Sequence, residues 1–330
     1  MSNKIQNSSV SIKVYHGYGH THNLVLYGHV FKHRPIIRSV YTNNIPANIM
    51  HLLRLFFVKP LSGISLTLQW NATLLHSTTQ EDGFFKFEWK SEIEVEAGWH
   101  PVSVTTRGEL GQVGSSGQGK IFVPHKTQFA FISDIDDTVL ISHSATIGKR
   151  LKVLFTKNPR TRQAFEHVAT YYNLLALSRT TQEVPNPFFY VSSSEWNLYD
   201  YLADFFEYNK LPEGIFLLNQ IKQWFQLFKT GKTQHDGKLI RVLRILDAFP
   251  QQQFVLLGDN SQKDPAIYSS IALKYPEKIF AVYIRNVRPA NENNTNDLLS
   301  ALADKGVYTC LFKHNSEAIA HSKSIGLILE

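Results

Sequence analysis

The sequence predicts an α/β protein: a domain with a mostly parallel sheet and flanking helices, preceded by an antiparallel β-sandwich domain. Three observations lead there. Before residue 124 the apolar segments are short and alternate with polar residues, separated by Gly, Pro and Asp-Gly. After residue 124 the strand-like runs are continuously apolar and alternate with helical patterns, as strands buried on both faces require. The change falls once, at "IFVPHK", and 330 residues are comfortable for two domains, here 1–124 and 125–330.

In the first domain "NLVLYGHVF", "ISLTLQW", "FFKFEWK" and "HPVSVTT" read as strands, punctuated by "RP", "QEDGF" and "EAGWHP". Trp99 and His100 mark a strand start. The glycine-rich "RGELGQVGSSGQGK" reads as an exposed hairpin loop and not a phosphate cradle, because no helix follows it. Histidines 16, 20, 22, 29 and 33 have no matching acids or thiols, and strand alternation scatters them over two faces, which argues against zinc. In the second domain the strands are "FAFIS", "PFFYVS", "GIFLL", "QFVLLG", "KIFAVYI" and "VYTCLF". Helical patterns cover roughly 161–178, 196–207, 238–248 and 265–274.

Bulk properties narrow the partners. A formal charge of +7 and a pI near 9.2 suit anionic partners: phospholipid surfaces, nucleic acid or phosphorylated small molecules. The single cysteine, Cys310, excludes an internal disulfide framework. The polar start "MSNKIQNSSVSIKV" has no secretory apolar region, and no run approaches a membrane span, so a soluble, cytoplasmic protein is expected.

Ligands of parallel sheets sit at the carboxyl ends of the strands, and four chemically active elements fall there or beside them. The first strand ends in Asp134-Ile135-Asp136-Asp137-Thr138, and the second reaches Ser192. A later strand ends in Gly258-Asp259, with Asp264 five residues on, and Lys238 starts the helix before it. Clustered acids repel one another and resist burial, so such a set is a solvated turn or a place where a cation and a phosphate offset the cost. Two acids at i, i+2, a hydroxyl, an ammonium and a further acid pair are the parts of metal-assisted phosphoryl transfer. Ser192 with Glu195 also fits a capping box. An oxygen-only donor set favours magnesium over zinc.

The stretches "ISDIDDTVL", "NPFFYVSSSEWNLYDYL", "FPQQQFVLLGDNSQKDPAIY" and "FAVYIRNV" resemble the haloacid dehalogenase superfamily of aspartyl phosphotransferases. More narrowly, they resemble its actin-patch-type phosphatidate phosphatase family and bacterial relatives. Lesser similarity extends through "YHGYGH", "QEDGFF" and "AGWHPVSV". The resemblance implies a Rossmann-like, haloacid dehalogenase-like sheet and magnesium-dependent removal of phosphate from phosphatidate through an aspartyl-phosphate. Carried over by position, it implies Asp134 as nucleophile and Asp136 as acid/base. Ser192, Lys238 and Thr138 would bind the phosphoryl group, and Asp134, Asp136, Asp259 and Asp264 would lie at the metal. The chain departs from the family in having Gly237, not histidine, before Lys238, and GDNSQ for GDSGQ in the metal loop.

Two segments bear on the substrate. From Thr138 to Phe165 there is no acid, yet Lys149, Arg150, Lys152, Lys157, Arg160 and Arg162 are present, with Ile147, Leu151, Leu154 and Phe155 at helical spacing. Such a segment suits an anionic membrane, with Lys149, Arg150 and Lys152 as the docking cations. In "IKQWFQLFKTGK", Ile221, Trp224, Phe225 and Phe228 form a second apolar stripe among lysines. Either stripe could instead pack on the sheet. The leading expectation is a peripheral phosphatidate phosphatase without a transmembrane segment. The alternatives are a phosphatase of soluble or nucleic-acid phosphate monoesters, although no nucleic-acid recognition motif is present, and a non-catalytic lipid- or protein-binding adaptor.

Overall fold

The computed structural model describes residues 10–33, 44–106, 114–125, 129–140, 158–160, 164–220 and 234–329. They form two compact units, one holding residues 10–33, 53–106 and 114–123 and the other 44–52, 124–125, 129–140, 158–160, 164–220 and 234–329.

The first unit contains strands β1 (Ser11–Val14), β2 (Gly17–His20), β3 (Asn23–Phe31), β4 (Ser65–Trp70), β5 (Thr73–Thr78), β6 (Phe84–Trp89), β7 (Gly98–Thr106) and β8 (Ser116–Val123). They join in the order β1-β3-β2-β8-β7-β4-β5, with β6 also paired to β3. This differs from a purely antiparallel sandwich in two ways: the strands share one hydrogen-bonded network, and β2 runs parallel to β8. Period-two alternation still builds its core. Leu24, Leu26 and Val30 of β3 meet Leu66 and Leu68 of β4, Phe85 and Phe87 of β6, and Val102 and Val104 of β7. Each such side chain contributes on the order of 2 kcal/mol by leaving water.

Two expectations fail here. Residues 116–120, read as part of a loop, pair along β7 as the start of β8; Gly117 and Gly119 lie close against β1, where a Cβ would stand 2.6 Å from the Ile12 carbonyl and 2.4 Å from Val14 Cγ1. Residues 107–113 lie outside the described set. A helix not expected from the sequence, α1 (Ile45–Phe56), follows β3. Its signals were present: the Asn44 side chain accepts the Ala47 N–H at 3.3 Å, and Pro46 sits in the first turn. The histidines form no metal cluster among the described residues. His29 is buried and bonded to the Tyr15 hydroxyl at 2.9 Å, and burial holds its imidazole down at about 3.

The second unit contains β9 (Phe129–Ser133), α2 (Val168–Ala176), β10 (Phe188–Glu195), α3 (Tyr199–Tyr208), β11 (Gly214–Asn219), α4 (Gln234–Ala248), β12 (Gln253–Asp259) and α5 (Asp264–Lys274). β13 (Ile279–Arg285), α6 (Glu292–Ala303), β14 (Tyr308–Phe312) and α7 (Asn315–Ser324) complete it. The strand order is β11-β10-β9-β12-β13-β14 and every pairing is parallel. The order reverses between β9 and β12, so the crevice of the sheet opens at the carboxyl ends of these two central strands. Their interiors are wholly buried, which explains runs such as "FAFIS" and "FVLLG" without polar alternation.

Helices α6 and α7 were not legible. α6 buries only Thr295, Leu299 and Leu302, and α7 only Asn315, Ala318 and Ser322, too sparse and too polar a stripe to register as periodicity. The helix expected from about 161 starts at Val168, because Ala164 instead bridges Leu140 in an extended segment. No helix among the described residues is long and apolar enough to cross a membrane.

Candidate active site

Five adjacent strand ends carry the site. Across the sheet they present Asn219 (β11), Ser192 and Ser194 (β10), Asp134 (after β9), Asp259 (β12) and Arg285 (β13). α4 adds Lys238 and, one turn later, Arg241; the start of α5 adds Asp264.

The Asp134 N–H extends the central ladder by bonding the Leu257 carbonyl at 2.8 Å, which holds this acid over the seam between β9 and β12. One ligand oxygen each from Asp134, Asp259 and Asp264 lies within 4.8 Å of the others, and all three residues are buried. Gly258 permits this. A Cβ there would stand 2.7 Å from Asp264 Oδ2 and 2.8 Å from the Tyr268 ring, so any larger residue would displace the acid. The Lys238 ammonium donates to Asp134 Oδ1 at 2.7 Å and Asp264 Oδ1 at 2.5 Å.

One ammonium does not neutralise three carboxylates. Burial raises the Asp134 carboxyl against the opposing pull of Lys238, and burial with the charge of Asp264 pushes Asp259 up to about 7. Burial alone would lower Lys238, but its two carboxylate partners outweigh it and hold the ammonium above its ordinary range. Oδ2 of Asp134, Asp259 and Asp264 is in each case buried with no hydrogen-bond partner. Buried acceptors are ordinarily satisfied, so three unsatisfied hard oxygens facing one another fit a divalent cation with oxygen ligands.

Asp136 lies apart from this trio. Its Oδ2 accepts the hydroxyls of Ser192 at 3.2 Å and Ser194 at 3.3 Å. The Ser192 hydroxyl also accepts the Ser194 N–H, and β10 runs on through Glu195, so Ser192 works here in place of the capping box its spacing suggested. Between Asp136 and Leu140 the chain makes a tight turn, with Asp137 left-handed at φ 60° and its N–H on the Leu140 carbonyl. The Thr138 hydroxyl is buried there without a partner.

Sequence reading missed Ser194, Asn219, Arg241 and Arg285. Arg241 bonds Asn219 Oδ1 at 2.8 Å and the Ser192 carbonyl at 3.3 Å, and burial, opposed by the Asp134 charge, brings it down to about 10. Its spacing of three from Lys238 on one helix was the available signal. Arg285 is only 2% exposed; it donates to the Thr138 carbonyl, the Lys313 carbonyl and Asn315 Oδ1. Its guanidinium lies 4.2 Å from the Phe165 ring centroid and 4.8 Å from that of Phe312. A charged residue ending the apolar run "IFAVYI" was the clue. Arg285→Lys keeps the charge but cannot reach three acceptors at once. It is expected to lower stability by about 1–3 kcal/mol, because the turn bearing Asp136 and Thr138 loses its anchor. Thermal melts check this; an unchanged melting temperature would mean that other contacts hold the turn.

Lys149, Arg150 and Lys152, and the stripe within 221–232, lie outside the described residues.

Residues 129–286, which hold every residue of this site except the Arg285 partners Phe312, Lys313 and Asn315, match the family model of the phosphatidate phosphatase APP1 catalytic domain. Over 158 residues the chain is 31% identical to phosphatidate phosphatase APP1 of Saccharomyces cerevisiae, covering 47% of this chain and 25% of that protein. An uncharacterized protein of Schizosaccharomyces pombe is 27% identical over 162 residues, covering 48% of this chain and 25% of its own length. The chain thus spans about a quarter of the length of these relatives. Among solved structures, a carbohydrate acetylesterase from Xanthomonas citri aligns over 96% of this chain and 74% of its own, at 10% identity and a TM-score of 0.32, a likeness that bears on neither fold nor function.

Proposed function

We propose that the chain is a magnesium-dependent phosphatase of haloacid dehalogenase-like fold that converts phosphatidate to diacylglycerol through an aspartyl-phosphate. The observation that carries this reading is the trio Asp134, Asp259 and Asp264: buried, clustered, two of them (Asp134 and Asp264) bonded to Lys238, and each with an unsatisfied oxygen. It lies within the segment similar to phosphatidate phosphatase catalytic domains. Magnesium on Asp134, Asp259 and Asp264 supplies positive charge that screens the repulsion between a carboxylate nucleophile and an anionic phosphate.

The chain's own groups divide the remaining work. A carboxylate oxygen of Asp134 bonds to phosphorus as the bond from phosphorus to the glycerol oxygen breaks, and Asp136 gives its proton to that leaving oxygen. Asp136 then takes a proton from water, whose oxygen attacks phosphorus and frees inorganic phosphate and the Asp134 carboxylate. The hydroxyls of Ser192 and Ser194 hold the Asp136 carboxylate in place between these steps. Lys238 fixes Asp134, and Thr138 offers a buried donor for a phosphoryl oxygen. On this reading the protein works peripherally at a phospholipid surface.

Phosphate release from detergent-dispersed phosphatidate, measured against soluble monoesters with chelator and with magnesium, tests the proposal. Release from phosphatidate that chelator silences and magnesium restores is expected. Faster turnover of a soluble ester would assign the site to a soluble phosphate, and no release from any ester would leave a binding role.

A further inference from the structure

Net positive charge is concentrated in acid-free parts of the chain, the longest of which is its first 80 residues. Residues 1–80 contain seven cations, Lys4, Lys13, Lys32, Arg34, Arg38, Arg54 and Lys59, and no Asp or Glu. With 34 Lys and Arg and 27 Asp and Glu in all, the remaining 250 residues hold 27 of each sign, so the whole formal +7 belongs to the first 80. A charge kept only for solubility has no reason to exclude every acid from a quarter of the chain.

Three of these cations gather at one end of the first unit. The Lys32 N–H bonds the Lys59 carbonyl at 2.9 Å, and the Phe57 N–H bonds the Arg54 carbonyl at 3.2 Å, so the end of β3 and the end of α1 form one local structure. Lys32, Arg54 and Lys59 are exposed, and none pairs with a carboxylate among the described residues. The first acids in the chain, Glu81 and Asp82, precede Gly83, whose carbonyl accepts the Val30 N–H near the same end of β3, and neither forms an ion pair with these cations among the described residues. Beside the cations stands a large apolar side chain: Phe57, directly after the end of α1 and three residues from Arg54, is 59% exposed.

We propose that Lys32, Arg54, Phe57 and Lys59 form a docking surface for an anionic phospholipid leaflet. Cations draw the surface to the headgroups, and a large apolar side chain among them gains by entering the boundary below. That combination favours lipid over nucleic acid, whose phosphates would use the cations but not exposed Phe57. The inference rests on the reading of the catalytic unit as a lipid phosphatase for its purpose, but not for its test.

The test is co-sedimentation of the full chain with phosphatidylcholine vesicles that contain phosphatidylserine, a diester that is not turned over. The wild type is expected to bind these, and to bind phosphatidylcholine alone far less. K32Q/R54Q/K59Q should bind the anionic vesicles roughly 100-fold less tightly at low salt, about a factor of five per cation near the leaflet, with an unchanged circular dichroism melt. Phe57→Ser should weaken the binding that persists at high salt. Triple-variant binding equal to wild type, equal wild-type binding to neutral vesicles, or tighter wild-type binding to a nucleic-acid duplex would each overturn the proposal. Release of phosphate from detergent-dispersed phosphatidate is read separately. Its absence would refute the catalytic reading and leave the docking result standing.

Discussion

Asp134→Asn is expected to reduce phosphate release at least about a thousandfold, the scale on which loss of an attacking group is felt. The amide keeps the volume but cannot form the acyl phosphate. The fold should survive, because the substitution removes one of three buried like charges and leaves Lys238 its bond to Asp264. A second signature separates this from general damage. In the wild type, magnesium should raise the melting temperature, since a cation held by Asp134, Asp259 and Asp264 would bind the folded state alone and relieve their unsatisfied oxygens. In Asp134→Asn that rise should shrink sharply while the metal-free melt stays at least as high as wild type. Activity above about a tenth of wild type would remove Asp134 from the nucleophile's role.

Lys238→Met should be the most destabilising single change at the site. It preserves the apolar stem and deletes the ammonium that bonds Asp134 and Asp264, so the carboxylates are left without their buried counter-charge. Breaking a buried pair in this way costs about 3–5 kcal/mol. The loss should depend on pH. The folded Asp259 carboxyl is pushed up to about 7, above its ordinary 3.8, so its contribution to stability is present below about pH 4 and is lost as pH rises through 7. Removing Lys238 takes away an opposing charge and should steepen that decline. Urea unfolding of the metal-free variant between pH 5 and pH 8, repeated with magnesium, measures both effects. A variant as stable as wild type across that range would show that the ammonium is not what holds the trio together.

The sequence by itself determined the kinds of secondary structure and the chemistry at the strand ends. Continuous apolar runs of strand length such as "FAFIS" and "QFVLLG", alternating with helical patterns, point to strands buried on both faces and so to a parallel sheet. Acids directly after such runs are then forced to its carboxyl edge, and that is why Asp134, Asp259 and Asp264 were legible as a set. Local periodicity carries this information because it depends on neighbours within a few residues. Tertiary structure decided which groups meet. Lys238 and Asp134 are 104 residues apart and Arg285 and the Thr138 carbonyl 147 apart, and no local pattern encodes either contact. It also brought Asp136, which the resemblance implied at the metal, into hydrogen bonds with the hydroxyls of Ser192 and Ser194. The helices α6 and α7 escaped for the converse reason: they are held by packing against the sheet through a few small or polar side chains, so their stability is not written in their own hydrophobic pattern.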